Sequence, residues 1–129
     1  MNMININFGL LFIRLGLGVC LLMHGIFKLT HGIDGVKSML VARGIPDLVA
    51  YGAYVGEVLA PAMIIIGVFC RIGALLVIVN VLMIIYVLHT PLGALTGVGG
   101  FELEIVYLYL SAAICLVICG GGEFALIRD

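Results

Sequence analysis

The chain has 129 residues, 64% of them hydrophobic and 10% charged, with a formal net charge of −1. A soluble domain of this size could not cover so much apolar surface, and a mean hydropathy of +1.36 places the chain among integral membrane proteins. The near-zero charge leaves no electrostatic footprint for nucleic acid, so no such partner is expected.

The amino-terminal MNMININFG lacks a basic segment, and no small-residue cleavage site follows. The first apolar run therefore reads as a retained span and not a signal peptide. Four apolar runs follow one another, at about residues 7–29, 48–70, 72–88 and 101–119. About 20 residues cross a hydrocarbon layer. Backbone groups in lipid must be bonded within their own segment, so each run is predicted to be a helix. The expected fold is all-α: a four-transmembrane-helix bundle forming one domain over residues 1–129, with lipid around it and both termini on one side.

The connections differ. Residues 30–47 read THGIDGVKSMLVARGIPD. Val36 to Val41, with Lys37 and Arg43 outward, is predicted as a short interfacial helix. Gly44-Ile45-Pro46-Asp47 then marks a turn. Cys70-Arg71-Ile72 is expected to join the second and third spans as a tight hairpin. The third connection, residues 90–100, is glycine-rich and uncharged. Gly52, Gly56 and Ala60 form one ridge of small residues, and Ser111, Cys115 and Cys119 another, both suited to close helix packing. The four cysteines include no C-x-x-C. Cys20 lies mid-span, so their even number is weak evidence for disulfides.

Charge at bilayer depth is costly and marks function or a specific partner. Let side A be the side of the termini and side B the opposite one. At about 1.5 Å rise per residue, Arg14 lies roughly 10 Å below side A, with Asn80 at a similar depth and Glu57 nearer mid-membrane, within about 7–8 Å of those levels. A buried network of Arg14, Glu57 and Asn80 is therefore expected, either as a strut or as a charge site. Pro61 cannot donate to the Glu57 carbonyl, so a kink there would expose that oxygen. Nearer side B, His24 and Lys28 share a helix face. His89 closes the third span, and Glu102 and Glu104 open the fourth, with Glu104 the deeper. His24, Lys28, Glu57, His89 and Glu104 are the candidate ligand-binding residues. Three readings stand for the side-B cluster: snorkelling helix ends, a site for a polar headgroup such as a quinone carbonyl, or a metal site. No H-x-x-H, H-x-x-x-H or E-x-x-H pair supports the metal, and none is expected.

Arg14-Leu15-Gly16-Leu17-Gly18, His24-Gly25-Ile26-Phe27-Lys28-Leu29 and Gly44-Ile45-Pro46 resemble the DoxX family of small bacterial membrane proteins. Glu57, Arg71, Asn80, His89, Gly99-Gly100-Phe101-Glu102 and Gly120-Gly121-Gly122-Glu123-Phe124 extend the resemblance over nearly the whole chain. The family is named for subunits of an archaeal thiosulfate:quinone oxidoreductase system. Other members are linked to membrane thiol and oxidative-stress complexes. The resemblance implies a four-helix inner-membrane bundle, related to DoxD and MauE proteins, and no defined reaction.

The leading expectation is a redox-associated subunit that binds a quinone-like or other lipidic molecule within the bundle. Its electrons would come from a soluble or membrane redox partner, because the chain offers no flavin motif, paired haem ligation or C-x-x-C. No catalytic residue is assigned. The alternatives are a proton or small-solute carrier, which would need a homo-oligomer, and an assembly scaffold. Lys28, Lys37 and Arg43 near side B outweigh Arg71 and Arg128 on side A, so both termini are expected outside the bacterial cytoplasmic membrane.

Overall fold

The structure, a computed structural model, describes residues 2–129. Among these it is all-helical, with five helices and no strand: α1 (Met3–His31), α2 (Asp34–Ala42), α3 (Asp47–Ile66), α4 (Cys70–Leu88) and α5 (Glu104–Cys119). Helices α1, α3 and α4 are long and apolar enough to cross a membrane, whereas α5 is apolar but shorter. The four pack in sequence order around a square, with α1 and α4 each touching both α3 and α5.

α1 begins earlier than expected because Asn2 caps it, its side chain accepting from the Ile4 N–H at 3.1 Å. α2 ends in a Schellman turn. Ile45 N–H bonds the Leu40 carbonyl and Gly44 N–H that of Val41, with Gly44 at φ 74°. Ile33, just before it, and its inner residues Val36 and Leu40 pack with Ile45, Ala50, Tyr54 and Val87 against the ends of α3 and α4. α3 starts as a 3₁₀ turn over Asp47–Tyr51 and widens into a π-turn over Val55–Leu59, where Ala60 N–H bonds the Val55 carbonyl. Pro61 follows at once, so the donor that proline lacks is accommodated by a bulge where a simple kink was expected.

The hairpin between the second and third spans is Gly67-Val68-Phe69, not the expected Cys70-Arg71-Ile72. Gly67 adopts φ 87° and ends α3 four residues early, its N–H bonding the Met63 carbonyl. Cys70 therefore opens α4. α5 likewise starts three residues late, because Phe101 bridges Leu95 and holds the preceding loop as a small hairpin.

Close approach depends on small residues, as expected, but on a partly different set. On the α3 ridge, Gly56 lies against Asn80, and the Ala60 carbonyl faces Gly73 of α4. Gly52 has nothing within 4 Å of where a Cβ would stand. On α5 the buried positions are Ala113 and Leu116, while Ser111 and Cys119 face outward. Ser111 bonds the Tyr107 carbonyl of its own helix at 3.0 Å and needs no partner helix. All four thiols are free.

Residues 120–129 fold back over side A. Ile127 N–H bonds the Gly67 carbonyl at 2.9 Å, and Glu123 N–H bonds the Asn7 side chain at 3.1 Å. Phe124 packs at a tilt against Phe8, and Arg71 N–H donates to the Asp129 carboxylate at 2.8 Å.

Candidate functional site

Two helices create the charged pair at the centre. On α1, Gly25 sits between His24 and Lys28. A Cβ there would stand 1.9 Å from the Glu57 carbonyl oxygen, so only glycine lets α1 lie this close to α3. The oxygen that Pro61 leaves without a donor is thus pressed against α1 and does not face an open site. Lys28 then reaches across. Its Nζ donates to Glu57 Oε1 at 2.5 Å, with the two side chains 21% and 3% exposed. Neither charge is tolerable alone in such a setting; paired, they sum to zero. Glu57 lies in the π-turn, and its carboxylate meets α1 through Lys28.

The pair forms one wall of a cavity of about 680 Å³. Most of the lining is apolar, supplied by α2 (Val36, Met39, Leu40), α3 (Val49, Ala53), α4 (Val79, Met83, Val87) and α5 (Ile105, Val106). The polar lining is confined to His24, Lys28, Glu57, Asn80 and Tyr109. The His24 ring meets Tyr109 edge-on, with centroids 6.3 Å apart. An apolar chamber with a few convergent polar groups is the usual form of a small-molecule site.

The expected network of Arg14, Glu57 and Asn80 is divided among separate partners. Arg14 is 1% exposed and donates to the carbonyls of Ile64 and Ile65, each at 2.9 Å, and of Gly121 at 3.4 Å. It therefore neutralises the negative end of α3 and ties down the tail. Asn80 packs over Gly56, and its Nδ2 is buried without a hydrogen-bond partner.

The candidate ligand set is also divided. His24, Lys28 and Glu57 line the cavity; His89 and Glu104 do not. His89 ends α4 at φ 61° and accepts a contact from Arg43, which also bonds the Tyr86 carbonyl at 2.9 Å and covers the Tyr86 ring. Glu104 is exposed, because α5 begins at that residue and buries Leu103. His31 is the last residue of α1 and stacks on Phe27. Outside the spans, Lys37 of α2 donates to the Tyr51 hydroxyl at 3.2 Å, which raises the lysine's pKa above its ordinary value.

A family model described as DoxX matches residues 9–90. The chain belongs to the DoxX family. No curated protein and no solved structure matches it. The DoxX match spans α1 to α4 and contains Arg14, His24, Lys28, Glu57 and Asn80. Together with the long apolar helices it makes this a multi-pass membrane protein. Tyr109 of α5 lies beyond the matched stretch, and sequence reasoning missed it. Its only signal was position, one helical turn beyond Glu104 and Ile105 on the fourth apolar run.

Proposed function

We propose that this DoxX protein is a redox-associated subunit of the bacterial inner membrane that binds a quinone-like lipid inside its bundle. In this reading α1, α3, α4 and α5 all cross the bilayer. α5, at 16 residues, spans about 24 Å and relies on the loop before it for the remainder. α2 lies along the interface on side B, which faces the cytoplasm, and both termini are outside.

The observation that carries the proposal is the cavity itself. It is large enough for a ring and a short stretch of isoprenoid, and it is apolar except around the Lys28–Glu57 pair, His24, Asn80 and Tyr109. A longer tail would pass out between the helices into lipid. Protonatable groups beside a reducible headgroup can exchange protons while a partner protein supplies electrons. A carrier fits less well. Arg14 is bound to backbone carbonyls and the tail packs over the side-A ends of the helices, so Arg14 is committed to structure and is not free to relay charge.

Mass spectrometry of an organic extract from purified protein tests this. Wild type is expected to yield a stoichiometric quinone that is lost from a folded Glu57→Gln, His24→Ala variant. The absence of any specific lipid from the wild-type extract would sink the proposal.

A further inference from the structure

Lys28 satisfies one oxygen of the Glu57 carboxylate. The other, Oε2, accepts no hydrogen bond among the described residues. It is not fully enclosed either, since the fully enclosed side-chain atom without a partner, among the described residues, is Asn80 Nδ2. Oε2 therefore keeps some open surface, and the space that Glu57 borders is the cavity. The residue as a whole is 3% exposed. Glu57 is thus a buried carboxylate with one oxygen held by the bundle and one left to the cavity. Lys28 has donors to spare beside it. Its ammonium carries three N–H groups, of which one goes to Glu57. With Nζ 2.5 Å from Oε1, the spare donors and the open acceptor adjoin.

We infer that Glu57 Oε2 accepts a hydrogen bond from a hydroxyl of the bound lipid, so that the cavity takes the reduced, hydroquinone form in preference to the quinone. This rests on the lipid-site reading above and adds the redox state of the ligand and the group that distinguishes it. A hydroxyl both donates and accepts, so a single hydroxyl can donate to Oε2 and accept from Lys28. A quinone carbonyl only accepts. It can take the lysine's spare donor, but it brings its oxygen to Oε2 with no proton between them, and the buried carboxylate stays half satisfied. A hydrogen bond to a charged acceptor is roughly twice as strong as a neutral one, which places most of the discrimination at Glu57. Charge narrows the ligand further. Lys28 and Glu57 already sum to zero, so an ammonium headgroup at Oε2 would leave one uncompensated charge in an apolar chamber. A hydroquinone held in this way returns as the quinone from an extract made in air.

The test is anaerobic binding to purified protein in detergent of four probes of equal chain length: an alkyl hydroquinone, its dimethyl ether, the matching alkyl benzoquinone and an alkylammonium. Wild type is expected to bind the hydroquinone roughly tenfold more tightly than the ether or the benzoquinone. Glu57→Gln keeps the shape of the side chain and an acceptor for Lys28. It should lose the preference for the hydroquinone while binding the ether as wild type does. If Glu57→Gln does not fold, Lys28→Met with Glu57→Leu, which leaves no orphan charge, gives the same readout. A wild type that binds the hydroquinone no more tightly than the benzoquinone, or that prefers the alkylammonium, would overturn the inference alone. So would a variant that retains the hydroquinone preference. An equal loss of hydroquinone and ether binding in the variant would also overturn it, because Glu57 would then act through the shape of the cavity. A wild type that binds none of the four would instead remove the lipid site on which the inference rests.

Discussion

Arg14 and Lys28 carry the same charge on one helix and meet opposite kinds of partner. Arg14 is solvated by backbone carbonyls at the end of α3, whereas Lys28 takes the buried carboxylate of Glu57. A double-mutant cycle separates the two. Lys28→Met alone leaves Glu57 as an orphan charge and is expected to cost about 3–5 kcal/mol. Lys28→Met with Glu57→Leu should recover most of that loss, whereas Arg14→Met and Glu57→Leu should combine additively. Melting temperatures of the single and double variants give the coupling. Strong coupling of Arg14 to Glu57 would restore the network expected from depth alone. The residues that matter were legible, since Arg14, His24, Lys28, Glu57 and Asn80 are all polar groups within apolar runs. Their pairing was not, and Arg14 shows why. With α3 assumed to run to Cys70, no free carbonyls stood at the level of Arg14. With α3 ended at Gly67, its last carbonyls lie there.

At the scale of elements, Gly25 decides how α1 and α3 meet. Gly25→Ala would drive a methyl group into the Glu57 carbonyl, a backbone atom inside a helix that cannot turn aside. Ordinary overpacking costs about 1–3 kcal/mol, and this substitution is expected to exceed that range. Thermal unfolding of Gly25→Ala beside Gly9→Ala checks it, because Gly9 has nothing within 4 Å of where a methyl would stand and should tolerate the change. A Gly25→Ala protein as stable as Gly9→Ala would mean that the helices stand further apart. The number and order of the helices were readable from four apolar runs and a turn at Gly44. Their ends were not, because they are set by a left-handed glycine at Gly67, an asparagine cap at Asn2 and the loop bridge at Phe101, none of which perturbs hydropathy. The ridge of Ser111, Cys115 and Cys119 misled for a similar reason: helical spacing fixes a common face but not its direction.

At the scale of the molecule, the bundle is closed on one side and hollow toward the other. The tail, Asn7 and Arg14 join the side-A ends of α1 and α3, while residues of α2, α3 and α4 enclose the cavity. Sequence reasoning brought His24, Lys28 and Glu57 to this region, but added His89 and Glu104 because it matched depth without knowing which way each side chain turned. The central claim is that the cavity holds a lipid-like molecule. Native mass spectrometry of the protein released from detergent tests it most directly, with wild type compared to Gly52→Leu. Gly52 lines the cavity with open space where its side chain would grow, so leucine should occupy that space without disturbing the fold. The expected result is a discrete added mass on wild type that is absent from Gly52→Leu. An equal added mass on both proteins, or on neither, would contradict the claim.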